Sequence, residues 1–460
     1  MADTLFDQND QDEDFALDRS LVDEVRLVLA TADKSRLEEI FEPLHAADVA
    51  DLLEQVDQGE RREILLLARD VFDGEILSEL DESLREEAIE FLPDDVVSEA
   101  VRELETDDVV DLVEDLDEPQ QEAILDALED ADRVAVEQAL AWPEDSAGRL
   151  MQREIVAAPE HWNVGQTIDF LRNQDELPEQ FYHVIMVDPR LKPTGYVTLG
   201  KLLGAAREIP LTDLCEDTFR PIRVTQPEED VAYAFNQYHL ISAPVVDEDD
   251  RLVGVITIDD AMAVLDEEHE EDILRLAGVG EATSLSDRVI ETTKTRFPWL
   301  FVNLITAILA SLVIAQFEAT IAQFVALAVL MPIVASMGGN AGTQALTVAV
   351  RALATKDLTS SNLWRVIKRE ALVGLANGLA FALIMGVVGW IWFGQPMLGA
   401  VLAIAMVVNL VIAGLAGILV PVSLEKLGVD PALASGAFVT TVTDVVGFFA
   451  FLGLAGWMLL

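Results

Sequence analysis

Cysteine is nearly missing from this 460-residue chain, with Cys215 as its one example. A lone thiol cannot build a disulfide framework, and it suits a soluble part held in a reducing compartment. The five histidines are scattered, so no Cys/His set with zinc spacing can be drawn, and His269 among acids reads as solvated. Bases are scarce: 30 Lys and Arg stand against 83 Asp and Glu, for a net charge of −53. That balance excludes nucleic acid as a partner, which needs basic surface. There is no P-loop, nucleophile elbow or dinucleotide fingerprint, so an enzyme reading has no residues to stand on. The opening MADTLFDQNDQDEDF lacks the basic-then-apolar order of a signal peptide, so the expectation is that the soluble half stays inside.

The charge is unevenly placed. Residues 296–460 hold six acids and seven bases, whereas the first 295 carry a net −54. Two physically different parts therefore join near residue 296, and the length suggests about three domains. Such acidity points to cation partners or to a salty cytosol.

Residues 1–20 read as a disordered acidic tail. From 21 to 145 the pattern is one of short helices at a spacing of about twelve residues. Apolar positions such as Val109, Leu112, Val113 and Leu116 fall on one face, with Thr or Asp at the helix starts as caps. Helices this short cannot bury their faces alone and should stack into a small superhelix. Residues 146–268 change to an α/β pattern that occurs twice at a period of about 65 residues. Each copy has an entry strand (154–158; 221–224), a helix (164–172; 229–238) and a strand pair followed by a capped helix. The strand pairs are HVIMVDPRLKPTGYVTLGKLL and SAPVVDEDDRLVGVITIDDAM. This doubled unit resembles a tandem CBS-domain pair, a module that commonly senses ligands and regulates an attached protein. Residues 262–296 read as a long connecting helix, of which 269–296 form a separate linking segment.

From residue 297 the chain is hydrophobic. Five spans are expected, at 297–316, 321–350, 367–393, 397–424 and 432–459. No charge occurs between Glu370 and Glu425. The bases lie before span one, between spans two and three, and between spans four and five. All fall on one side if the N-terminus is cytosolic, which puts the C-terminus outside.

Asp444 lies inside the last span, and no base occurs in the interior of any span to pair with it, Lys368 and Arg369 standing at the very start of the third. An acid at a helix centre costs about 2.5–3.5 kcal/mol on insertion scales, so it should face water, a cation or a protein partner. Thr440, Thr441 and Thr443 put hydroxyls nearby, and Gly447 permits close backbone approach. A second polar stretch is Met331-Pro-Ile-Val-Ala-Ser-Met-Gly-Gly-Asn-Ala-Gly-Thr-Gln344. Pro332 should break its helix, and Gly338, Gly339 and Gly342 could unwind it and free carbonyls toward a wet cavity. The same small residues could instead serve close helix packing. Asn340 and Gln344 add neutral oxygens, and oxygen ligands beside a carboxylate suit a hard cation.

An acidic helical repeat, a CBS pair, a linking helix and five spans carrying PIVASMGGNAGTQ and TTVTDVVGF together resemble the MgtE family of Mg²⁺ channels and transporters. Arg351-Ala-Leu-Ala-Thr and Leu427-Gly-Val-Asp-Pro-Ala-Leu433 add to the likeness, which spans nearly the whole chain. The resemblance implies a homodimer in the cytoplasmic membrane with one pore on its two-fold axis. Asp444 of each copy would hold a hydrated Mg²⁺ there, and Asn340, Gly338, Gly339, Thr440 and Gly436 would shape the path. It also implies closure by intracellular Mg²⁺. The residues this falls on are Glu229, Asp260, Glu268, Glu271, Asp272 and Asp430, with Asp107 and Asp111 more loosely. His239 stands where a relative can offer an acid. The family admits a nucleotide such as ATP at the CBS pair, though no residue here demands one. The competing readings are a carrier for Co²⁺ or Ca²⁺, a membrane-anchored nucleotide-sensing regulator, and acidity that reflects salt adaptation alone.

Overall fold

A computed structural model of the chain describes residues 17, 19–114, 116, 118–174, 177–178, 181–216, 219–279 and 289–460. It forms two compact units, Met1–Asp266 and Glu267–Leu460. The expected tail at 1–20 lies almost wholly outside the described residues.

Among its described residues, the first unit opens with ten short helices. They are α1 (Arg19–Leu29), α2 (Lys34–Phe41), α3 (Ala46–Glu54), α4 (Gln58–Leu67), α5 (Gly74–Ser78), α6 (Glu82–Phe91), α7 (Asp94–Glu103), α8 (Thr106–Glu114), α9 (Glu118–Ala127) and α10 (Asp130–Ala139). From α6 to α10 the starts fall at 82, 94, 106, 118 and 130, the twelve-residue spacing read from the sequence. Asp33, Asp57 and Asp73 cap helices through their carboxylates, satisfying backbone N–H groups that the first turn leaves open. Helices pack on the next but one, as in α3–α5, α5–α7, α7–α9 and α8–α10, so the apolar faces meet in one continuous core. Gly74 lets α5 approach α7 closely, since a Cβ there would lie 2.5 Å from the Ala100 carbonyl.

Two three-stranded sheets follow, of identical topology. In the first, β1 (Ala157–Pro159) runs parallel to β2 (His183–Val187), which pairs antiparallel with β3 (Pro193–Thr198). In the second, β4 (Ile222–Arg223) pairs with β5 (Ser242–Val246), and β5 with β6 (Leu252–Thr257), in the same senses. The register slips at Met186/Val187 and again at Val245/Val246, so even the irregularity repeats. Helices α11 (Val164–Asn173), α12 (Leu199–Gly204) and α13 (Glu228–Tyr238) complete the halves. The chain enters through the second half: Ala147 and Met151 lie in its core, and Gln152 pairs with Val255.

The expected long helix at 262–296 is not continuous. Helix α14 (Ile258–Ala277) ends where Gly278 turns at φ 70°, a left-handed conformation that glycine adopts without strain. Residues 280–288 are outside the described set, and α15 (Val289–Ala315) then runs straight into the first apolar stretch.

Among the described residues, five helices of the second unit are long and apolar enough to cross a membrane: α15, α17 (Ala326–Ala354), α18 (Leu363–Phe393), α19 (Pro396–Lys426) and α20 (Pro431–Leu459). The second span starts at residue 326 rather than 321, because 318–323 form a separate short helix, α16 (Glu318–Gln323). Helix α19 is central and mostly buried, packing on α17, α18 and α20. Leu379, Leu383 and Ile391 leave an apolar face of α18 open, as suits lipid.

Candidate functional site

The membrane unit carries its polar groups on α17 and α20. Against expectation, α17 is helical throughout, with Pro332 and all three glycines inside it. Gly338 and Gly342 are buried where neighbouring helices press close. A Cβ on Gly338 would fall 2.2 Å from Asn409 Nδ2, and one on Gly342 would fall 2.6 Å from a Val439 methyl. Close packing therefore accounts for these two, and no unwinding is needed. Gly339 faces open space. Ser336, Asn340, Thr343, Gln344 and Thr347 are all exposed on α17, at spacings that put them along one side. A polar stripe at membrane depth does not belong against lipid.

On α20, Asp444 is half-buried and meets no charged group among the described residues. The neighbouring hydroxyls are spent on their own helix. Thr440 donates to the Gly436 carbonyl at 2.9 Å, Thr441 to Ala437 at 2.5 Å, and Thr443 to Thr440 at 2.9 Å. What they still offer is acceptor capacity, the kind a cation or its water shell uses. Gly436 sits near the start of α20, with the Leu276 carbonyl 3.8 Å from where its Cβ would be.

That carbonyl belongs to the end of α14, which docks on this unit. Leu276 packs into a cluster with Leu346, Val350, Ala432 and Val439. Arg275 donates to Asp430 at 2.6 Å and pairs with Glu271 one turn earlier. Asp430 also caps α20, accepting from the Ala432 N–H at 2.7 Å. Glu271 and Asp430 are thus brought together, with an arginine between them. Glu268 and Asp272 lie partly buried on the same helix.

In the first unit the acids gather around the start of α8. Asp107 is buried at 9% exposure, and burial with Asp260 and Asp108 nearby pushes its carboxyl well above the usual range. Burial, helped by Glu154 and Asp108, raises Glu105 to about 7. Asp108 rises to about 6 through burial and Asp260, and Asp260 to about 6 chiefly through burial. Asp260 is nonetheless held: the Thr257 hydroxyl donates to it at 2.6 Å and the Thr257 N–H at 3.2 Å, one half of a capping box at the start of α14. Thr106, the first residue of α8, donates to Glu154 at 2.8 Å, and Gln152 donates to Glu105 at 2.5 Å. Asp111 points elsewhere and pairs with Arg85 at 2.7 Å. Glu229 is exposed in the first turn of α13, and His239 ends that helix at φ 53°. Among the described residues, no three His, Cys, Asp or Glu groups converge tightly enough to grip a bare metal ion.

Between the two CBS halves runs a narrow cleft lined by Glu154, Phe181, Tyr182, His183, Ser242 and Thr257, in which His183 Nδ1 and Ser242 Oγ share a hydrogen bond. Its free space of about 20 Å³ holds a water or two and no nucleotide as it stands.

Sequence reasoning missed four groups. Glu105 and Asp108 stand one turn apart at the start of α8, beside the Asp107 that it did name. Arg275 is the one base in 267–279. Asn409 is the one polar side chain between Pro396 and Val422, a signal as legible as that of Asp444.

Five apolar helices, a lone acid in the last of them and an attached CBS pair define a multi-pass membrane protein built to pass cations. Family models match residues 331–454 (divalent cation transporter), 44–145 (MgtE intracellular N domain) and 212–267 (CBS domain). A magnesium transporter MgtE of Thermus thermophilus is 31% identical over 449 residues, covering 96% of this chain and 99% of that one. Its counterpart in Enterococcus faecalis is 33% identical over 320 residues, 70% of each chain. Among solved structures, the cytosolic domain of the Mg²⁺ channel MgtE in complex with ATP matches at 28% identity and a TM-score of 0.49, covering 53% of this chain and 99% of that one. The chain belongs to the MgtE family of divalent cation transporters.

Proposed function

We propose that this chain moves Mg²⁺ along a path lined by the polar side of α17 and by Asp444 of α20, in a pore completed by a second copy. The observation that carries this is the exposed stripe of Ser336, Asn340, Thr343, Gln344 and Thr347 at membrane depth, in a unit where Asp444, deep inside the last span, has no cationic partner among the described residues. Lipid cannot cover such a stripe, whereas the same stripe on a partner, facing it across water, can. A passing cation supplies the countercharge that Asp444 lacks. Mg²⁺ dehydrates reluctantly, so a path of hydroxyls, amides and one carboxylate per copy can handle the ion with most of its water in place. Gly339 and Asn340 from α17 and Thr440 and Gly436 from α20 supply the remaining oxygen surface.

The acids of the first unit form the sensor. Asp107, Asp108, Glu105 and Asp260 repel one another in a buried setting, and a hydrated divalent ion relieves that repulsion. Their loose spacing suits an ion held through water rather than by three direct ligands. On this reading the acidic half is cytosolic, and high internal Mg²⁺ stabilises the compact, closed arrangement. Glu271 and Asp430 fit a metal less well, because Arg275 already pairs with both and offsets one of their two charges. Glu229, Glu268, Asp272 and Asp111 are secondary candidates. ATP at the CBS cleft requires the His183–Ser242 contact to open.

The test is uptake of Mg²⁺ into liposomes carrying the full chain or its Asp444→Asn variant, with Co²⁺ and Ca²⁺ as competitors. Flux should fall at least tenfold in the variant, on the scale of a lost intramembrane charge. Parental flux in Asp444→Asn would sink the path, and Co²⁺ or Ca²⁺ preferred over Mg²⁺ would change the cargo.

A further inference from the structure

Asn409 stands at the centre of α19 with no exposed surface. An amide buried among apolar side chains costs about 1–3 kcal/mol unless its hydrogen bonds are met. Only half of this one is met. Nδ2 donates to the Val334 carbonyl of α17 at 2.8 Å, while Oδ1 is buried without a hydrogen-bond partner among the described residues. Turning the amide over would set Oδ1 against the Val334 carbonyl, oxygen to oxygen, so the orientation is fixed by its one bond.

The space around it is made by two glycines on two other helices. A Cβ on Gly338 of α17 would lie 2.2 Å from Asn409 Nδ2, and one on Gly447 of α20 would lie 2.8 Å from Nδ2 and 3.0 Å from Oδ1. Gly338 adjoins Gly339 and Asn340, and Gly447 lies about one helical turn beyond Asp444. The same amide therefore touches both segments that bring oxygen to the ion path. Leucine or alanine would suit an apolar core at lower cost.

We infer that Asn409 is a positioning residue for ion selection: it fixes the separation of α17 and α20, and with it the distance between the Gly339–Asn340 oxygens and Asp444. This rests on the ion path proposed above. Mg²⁺ travels with a rigid octahedral water shell that only a correctly spaced path can grip, whereas Ca²⁺ accepts loose and variable surroundings. A path whose two walls drift apart loses Mg²⁺ before it loses Ca²⁺.

The experiment compares Mg²⁺ and Ca²⁺ fluxes in liposomes for the parent, Asn409→Leu, Gly447→Ala, the double variant Asn409→Ala with Gly447→Ala, and Asp444→Asn. Thermal unfolding of each purified protein is followed alongside. Asn409→Leu should lower the Mg²⁺:Ca²⁺ flux ratio about tenfold, since small misplacements of positioning groups cost one to two orders of magnitude. Gly447→Ala should do the same by driving the amide aside. The double variant should recover part of the ratio, because alanine at 409 vacates the space that the new methyl needs. An unchanged ratio in Asn409→Leu overturns the inference. So does a fall in both fluxes that merely tracks lost folded protein. If Asp444→Asn conducts like the parent, the path itself fails and the inference goes with it. If Asp444→Asn is dead while Asn409→Leu selects normally, only the role of Asn409 is lost.

Discussion

Both halves of this chain bury carboxylates, and they do so in opposite ways. Around α8, Asp107, Asp108, Glu105 and Asp260 crowd one another, held in part by Thr257 and Gln152. In α20, Asp444 stands alone, with neighbouring hydroxyls turned to their own backbone. Crowded acids bind a divalent ion for as long as it relieves their repulsion, which is what a sensor needs. A single acid beside weak neutral ligands attracts an ion and lets it go, which is what a path needs. On the proposed reading, the same residue type serves retention in one half and passage in the other, with number and spacing deciding which.

Three changes would break or sharpen that contrast beyond the loss expected from Asp444→Asn. The largest concerns the crowded set. Asp107→Asn with Asp260→Asn should leave flux at low internal Mg²⁺ intact and keep it high where the parent closes, a difference of about tenfold read by liposome uptake across internal Mg²⁺ levels. Parental closure would move the sensor elsewhere and favour acidity as salt adaptation.

A middle-sized effect is set by pH. Glu105 at about 7, and Asp108 and Asp260 at about 6, lie above the unfolded value near 4. Between these limits the folded form binds more protons, so its stability is highest below about pH 4–5 as far as these groups go. It declines as pH rises through 6 and 7, and the penalty is complete above that. In EDTA, the first thermal transition of the full chain should therefore come earlier at pH 8 than at pH 5.5. Added Mg²⁺ should narrow the gap by favouring the charged carboxylates. A gap that Mg²⁺ leaves untouched would separate these acids from metal.

The smallest effect is at Arg275. Arg275→Gln removes its ion pairs with Glu271 and Asp430, which are partly exposed and worth about 1 kcal/mol or less. Melting should shift by a few degrees at most, and dependence on Mg²⁺ should increase, because the positive charge between Glu271 and Asp430 would be gone and a cation would be drawn there more strongly. A drop in Mg²⁺ dependence would show that the arginine assists the metal instead of replacing it.

How much was legible follows from the range of the forces involved. The twelve-residue rhythm of α6–α10, the doubled strand–helix pattern of the CBS halves and the five apolar stretches are local signals. They survive in sequence because helix and strand periodicity and membrane transfer act residue by residue. Asp444 was visible for the same reason, since an acid in an apolar span is anomalous wherever the helix points.

Tertiary structure alone decided what the small and polar residues do. Gly338 and Gly342 read equally well as points of unwinding or of close contact, and only the nearness of Asn409 and Val439 made them contacts. The 262–296 helix looked continuous because little besides Gly278 and Gly280 opposed it, and Gly278 does so by turning left-handed. Asp107, Asp108, Glu105 and Asp260 come from segments about 150 residues apart, and their repulsion exists only once folding brings them together. Periodicity and hydrophobicity were fixed along the chain. Electrostatic coupling and steric fit depend on distances through space, and those were set by the packed helices.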